Sequence, residues 1–119
     1  MAGRKNTLRE DSAAFAVRVS ELCESIRGNS VYCTQLIRAS SSVGANISEA
    51  RYAQSTADLI NKLEVALKEC AETEYWLEVL CGKGLIDEEV FKHLRNDCGS
   101  IRRRLIASVS TAKKRLAGK

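Results

Sequence analysis

The 119-residue sequence contains no proline, a single histidine, one tryptophan and one methionine. Proline breaks helices and is common in turns, so its absence argues against a loop-rich or all-β fold and for long uninterrupted helices. There is no run of about 18 apolar residues such as a membrane span requires. The opening MAGRKNTLRED lacks the apolar core of a secretion signal. The five cysteines (Cys23, Cys33, Cys70, Cys81, Cys98) are an odd number with no C-x-x-C pair, so neither a disulfide framework nor a zinc site is indicated. Reduced thiols in a cytoplasmic protein are the expectation, with the cysteines serving as small apolar groups in or beside the core. No cofactor or metal is expected. There is no internal repeat, no low-complexity segment, and no G-x-G-x-x-G or G-K-[ST] phosphate loop.

What is present is charge sorted by position. Residues 1–9 carry three basic residues and no acid, and residues 98–119 carry seven basic residues and no acid. The net +4 therefore leaves residues 10–97 at −6. Both ends are cationic.

Apolar spacing gives the fold. Phe15, Val19, Leu22 and Ile26 step by four, three and four, the spacing of one face of a helix. So do Leu36, Ser40, Val43, Ile47 and Ala50. Leu59, Leu63, Ala66, Cys70, Thr73, Leu77 and Leu80 extend the pattern, as do Phe91, Leu94, Cys98, Ile101, Leu105, Val109, Ala112 and Leu116. Thr7-Leu8-Arg9-Glu10 has capping-box form, Ser55-Thr56-Ala57-Asp58 caps the third segment, and Asp87 followed by Glu88 and Glu89 marks the fourth. The spacing predicts helices at about 8–27, 30–52, 55–82 and 87–116, with tails at 1–7 and 117–119. Links of two to four residues make neighbouring helices antiparallel. The expected fold is all-α: one domain over residues 1–119, an up-down-up-down four-helix bundle.

The stretch SSSVGANISEA at 40–50 tests whether this is an enzyme. On the second helix its inward stripe runs through Ser40, Val43, Ile47 and Ala50, and the small residues let another helix backbone approach closely. Gly44 gives up about 1 kcal/mol of helix propensity against alanine, which close packing can offset. A nucleophilic serine needs a base, and His93, on the polar face of the fourth helix, is badly placed to be one. Asn46 and Glu49, beside the stripe, fit hydrogen bonding to another helix. The E-x-x-H motifs of carboxylate-bridged metal bundles are absent, although Glu89 and His93 form an i,i+4 pair.

At Ser42-Val43-x-x-Asn46-Ile47-Ser48-Glu49-Ala50 the chain resembles the 23S rRNA-intervening sequence proteins, a bacterial family with an S-I-x-x-N-I-A-E-G segment followed by a basic residue, here Arg51. Leu63, Ala66, Lys68, Glu69, Ala71, Glu72, Thr73 and Leu77 fall in the family's third helix, and Leu105-Ile106-Ala107-Ser108-Val109 is similar to its closing L-I-x-S-L element. Ala50 stands where the family favours glycine. The resemblance implies a cytoplasmic helical bundle that assembles as a homopentamer and has no established enzymatic activity. A similar protein, the accessory variability determinant of diversity-generating retroelements, is a basic pentamer that binds nucleic acid and a reverse transcriptase. The resemblance thus makes RNA, DNA or such a protein possible partners.

Two surfaces are candidates for function. Positions eleven apart on a helix differ by only about 20°, so Lys92, Arg103 and Lys114 form one line on the fourth helix. Arg95, Arg102 and Lys113 form a second line, and Arg104 and Arg115 a third. The Arg102–Arg104 and Lys113–Arg115 triplets lie about 16 Å apart, a span of several phosphates. Nucleic-acid contact, a solvated face and an acidic protein partner all fit this pattern. Few aromatics interleave, so base stacking is not indicated. The second surface is Val65, Tyr75, Trp76 and Val79. With the seam of the third helix through Leu63, Cys70 and Leu77 turned inward, these four point away from it as a subunit interface; the alternative is a rotated bundle that covers Trp76 with the first helix or the loop near Gly84.

Overall fold

Thr7 starts the first helix. Its hydroxyl accepts the Glu10 N–H at 3.0 Å while the Glu10 carboxylate accepts the Thr7 N–H at 2.8 Å, so two otherwise orphaned donors are satisfied together. The computed structural model describes residues 5–28 and 30–118. They form four α-helices: α1 Leu8–Glu24, α2 Ser30–Ala50, α3 Thr56–Gly82 and α4 Glu88–Ala117. Ser55 and Asp87 cap α3 and α4 through hydrogen bonds of 3.0 and 2.8 Å to the Asp58 and Val90 N–H groups. No strand occurs among the described residues. Of the expected tails, residues 1–4 and 119 lie outside the described residues, while Ala117 closes α4.

Two helices end earlier than the apolar periodicity predicts. The Ser25 hydroxyl and N–H both bond to the Leu22 carbonyl, at 2.6 and 3.0 Å, and Gly28 turns the chain with a φ of 77°. That conformation favours a residue without Cβ. α2 stops at Ala50, where the Arg51, Tyr52 and Ala53 N–H groups turn to carbonyls three residues back. Three-residue hydrogen bonds of this kind tighten a last turn and end it. The connections are consequently five residues each, still short enough to hold neighbours antiparallel.

α1 packs on α2 and α4, and α3 packs on α2 and α4, while the diagonal pairs make no backbone approach. This is an up-down-up-down four-helix bundle. Its core is Phe15, Val19, Leu36, Val43, Leu63, Cys70, Leu77, Leu80, Cys98, Ile101 and Leu105, with further apolar side chains packed against them. Ile60, one residue from the predicted Leu59, is the buried member at the start of α3. Among the described residues three hydroxyls are buried with this core, and each bonds to a carbonyl of its own helix: Ser12 to Arg9 at 2.9 Å, Ser40 to Ile37 at 3.2 Å and Thr73 to Glu69 at 2.8 Å. Burial therefore leaves no donor unsatisfied.

The helices are unequal. α1 has 17 residues and α4 has 30, roughly 26 Å against 45 Å at 1.5 Å per residue. Arg104 pairs with Asp11 in the first turn of α1. The last turns of α4 therefore run past the start of α1, and one corner of the bundle is unfilled there. Leu116, on the predicted apolar stripe, is 44% exposed for this reason.

Candidate nucleic-acid interface on α4

The three cationic lines on α4 have different fates. On the α3 flank, Arg102 meets Glu74 at 3.0 Å and Lys113 meets Glu64 at 3.1 Å. On the α1 flank, Arg104 meets Asp11 and donates to the Asn6 carbonyl at 3.2 Å. Between these flanks lie Lys92, Arg103 and Lys114, all exposed, and none of them has a carboxylate partner among the described residues. The same holds for Arg115 and for Arg95, whose guanidinium lies 5.0 Å above the Phe91 ring. Gly99 is buried because the Arg102 and Arg103 guanidiniums lie beside it, each 3.4 Å from where a Cβ would stand.

This sorting follows from helix geometry. Of the residues a quarter-turn from the buried stripe, Arg102, Arg104 and Lys113 reach acids of neighbouring helices. Residues opposite the stripe reach nothing. The Lys113–Glu64 pair is well exposed, 58% and 49%, and such a pair contributes only about 0–1 kcal/mol; Glu74 beside Arg102 is more covered, at 25%.

The aromatic strip of α3 differs from its predicted placement. Trp76 is half-buried rather than outward: it packs on Tyr32 of α2, with ring centroids 6.2 Å apart, and its indole N–H donates to Glu72 at 3.2 Å. The cover comes from Tyr32 of α2, not from the first helix or the loop near Gly84. Tyr75 remains 56% exposed and stacks edge-on against Trp76, while Val65 and Val79 are half-buried. The α2–α3 seam also holds Arg38, which pairs with Glu69 and Glu72. No reading of the apolar pattern singles out Arg38, because it lies on the polar flank.

The serine-rich stretch is a packing surface. Ser40 is fully buried, and Gly44 abuts Ser12 of α1. Ser12 extends the stripe of Phe15 and Val19 by three residues, a signal present in the sequence and passed over because serine is polar. Asn46 donates to Ser42 of its own helix at 2.9 Å, whereas Glu49 reaches across to Lys62 at 3.0 Å. Glu89 and His93 line a cleft of about 820 Å³ between α1 and α4 with Arg18 and Glu21. His93 is 3.7 Å from Asp97, which also pairs with Arg18. No three His, Cys, Asp or Glu side chains gather as a metal site among the described residues.

The five thiols are free, and all but Cys81 are buried. Burial, helped by the neighbouring Cys33, pushes the Cys23 thiol up to about 12. Its hydrogen bond with Cys70 and its burial push the Cys98 thiol well above the ordinary range. These are poor nucleophiles at neutral pH.

The sequence profile of the 23S rRNA-intervening sequence proteins matches residues 4–107. The chain belongs to that family. A crystal structure of a protein with unknown function from the S23 ribosomal protein family of Bacteroides thetaiotaomicron is 42% identical, with a TM-score of 0.82 over 87% of this chain and 98% of the other. No curated protein matches the sequence. Among the described residues no helix is long and apolar enough to cross a membrane.

Proposed function

We propose that this protein is a non-enzymatic, oligomeric, nucleic-acid-associated adaptor of the cytoplasm, and that it meets the sugar–phosphate backbone along Lys92, Arg103 and Lys114. The observation that carries this reading is that these three cations, eleven residues apart on one helix, are exposed and without a carboxylate partner among the described residues. Arg95 and Arg115 extend the patch. Arg102, Arg104 and Lys113 sit at its edges, held by carboxylates that exposed phosphates can displace. Contacts of this kind position a nucleic acid without reading its sequence. Assembly into a homopentamer, as the family resemblance implies, would repeat the patch and raise avidity. Tyr75 is the exposed member of the proposed subunit interface, with Val65, Trp76 and Val79 half-buried.

The test is fluorescence anisotropy with labelled RNA and DNA duplexes over a salt series. Binding should weaken steeply with salt, and the double variant Arg103→Glu/Lys114→Glu should lower the slope of log K against log salt by about two, since each phosphate contact contributes about 0.9 for B-DNA. Affinity and slope unchanged in that variant would remove the basic-edge mechanism. A protein partner retained from lysate after nuclease treatment, with no duplex binding, would favour the alternative: a scaffold module that meets an acidic protein.

A further inference from the structure

The unfilled corner of the bundle is a built groove. α1 cannot extend into it, because the Thr7–Glu10 capping box fixes the helix start. Setting Asp11 level with Arg104, α4 continues about ten residues beyond Leu8, or about 15 Å, nearly three helical turns. Over this length α2 and α4 form the walls and α3 the floor of a cleft of about 440 Å³. Ile47, Leu59, Leu63 and Ala112 give it an apolar base, and Ala107 and Thr111 keep the α4 wall low. The cleft lies on the line that further turns of α1 would follow.

Its charge is one-sided. The lining includes Arg51 and Arg115, one on each wall, and no carboxylate. Acids of the same end are committed elsewhere: Glu49 to Lys62, Glu64 to Lys113, and Asp58 to the Gln54 N–H at 3.1 Å. Arg51 has no carboxylate partner among the described residues and lies beside the exposed Tyr52, its guanidinium 5.4 Å from the ring centre.

We infer that this groove docks an acidic amphipathic helix of a partner protein. Apolar side chains at three- and four-residue spacing would replace the missing α1 turns on Leu59 and Leu63. Carboxylates on the two edges of that helix would meet Arg51 and Arg115. A phosphate backbone has nothing to place on the apolar floor. A second copy of this chain is disfavoured by charge: of the exposed apolar side chains at this end, Ile106 lies with Lys113 and Lys114, Leu116 follows Arg115 in α4, and Tyr52 lies against Arg51. Arg115 is common to the groove and to the nucleic-acid patch, and Ala107, four residues from Arg103 and seven from Lys114, adjoins that line; a peptide without phosphate, together with Arg51, which lies outside the patch, separates this inference from the nucleic-acid reading.

The experiment uses the full chain and two labelled synthetic peptides of about 14 residues, long enough for the nearly three turns of the groove. Both carry leucines at positions three and four apart; one has glutamates on its flanks and the other has lysines. The glutamate peptide should bind saturably. Arg51→Glu/Arg115→Glu should weaken it at least about tenfold, as expected for the loss of two charge-assisted contacts, and should make the lysine peptide the better ligand. Ala107→Trp, at an exposed rim position, should block both peptides while circular dichroism stays unchanged. Failure of the glutamate peptide to bind, or affinity indifferent to charge reversal and to Ala107→Trp, would overturn the inference. So would a fall in assembly mass caused by Ala107→Trp, which would assign the groove to a second copy of the chain.

Discussion

Gly44 of α2 lies so close to Ser12 of α1 that a Cβ at position 44 would stand 3.2 Å from the serine hydroxyl oxygen and 3.7 Å from the Ser12 backbone carbon. The contact explains a glycine in the middle of a 21-residue helix. Alanine there would gain about 1 kcal/mol of helix propensity and lose part of it by displacing a hydroxyl already bonded to Arg9. Gly44→Ala is therefore expected to change stability by less than about 1 kcal/mol. Gly44→Leu should cost about 1–3 kcal/mol by overpacking. Urea denaturation of the two variants measures both, and Ser12→Ala should relieve part of the Gly44→Leu cost. A leucine variant as stable as the parent would show that α1 and α2 can move apart freely.

Tyr75 and Trp76 are neighbours with separate roles. Trp76 is packed on Tyr32 and hydrogen-bonded to Glu72, so Trp76→Ala should lower folding stability by about 3 kcal/mol or somewhat less, given its partial exposure. Tyr75, 56% exposed, offers its ring to solvent or to another subunit. Tyr75→Glu should leave the helical content of the subunit unchanged and reduce the mass seen by light scattering. An unchanged mass would take Tyr75 out of the interface.

The difference between those two aromatics marks how far the sequence is legible. Period alone places the four helices, because each buried stripe must recur every three or four residues to stay on one face. Caps place the helix starts, since Thr7, Ser55 and Asp87 each have to satisfy a specific backbone donor. The ends of α1 and α2 depend on Ser25 and on the three-residue hydrogen bonds after Ala50, local geometry that apolar periodicity ignores. The rotation of α3 about its axis, which decides the burial of Trp76, is set by the neighbouring helix. The cationic lines on α4 could be drawn from helical geometry, but which of them is neutralised depends on Glu74, Glu64 and Asp11 on other helices. The open corner is a difference in helix length, invisible until α1 and α4 are aligned side by side.

The buried thiols predict an alkaline stability limit. A thiol held protonated in the folded state releases its proton only on unfolding, so the unfolded state binds fewer protons above its ordinary value and stability falls as pH rises. For Cys23 the window runs from 9.0 to about 12. Within it the thiol removes up to about 1.4 kcal/mol of stability per pH unit. Cys98 acts in the same direction from the same starting point. Below the ordinary thiol range neither contributes. Denaturation midpoints measured from pH 8 to 11 should fall, and Cys23→Ala should flatten the decline. A parallel decline in both proteins would assign the effect to other groups.

Glu74 and Glu64 offer the sharpest test of how α4 is used. Each holds a cation that borders the unpaired Lys92–Arg103–Lys114 edge, Arg102 at 3.0 Å and Lys113 at 3.1 Å. If the edge meets phosphates, these carboxylates act as competitors. Glu74→Gln and Glu64→Gln remove the competing charge, keep the shape, and free one cation each. The Lys113–Glu64 pair is exposed and contributes only about 0–1 kcal/mol, and Gln at position 74 keeps a hydrogen-bond acceptor for the half-buried Arg102, so the double variant should still fold. It should bind a duplex more tightly than the parent and with a salt slope steeper by up to about two, one phosphate contact for each freed cation. A scaffold that meets acidic protein through the groove, using Arg51 and Arg115, would leave duplex binding absent in parent and variant alike. Titration of both proteins with the same labelled duplex at two salt concentrations separates the outcomes, because added cations that touch phosphate must raise the slope and cations that touch only water cannot.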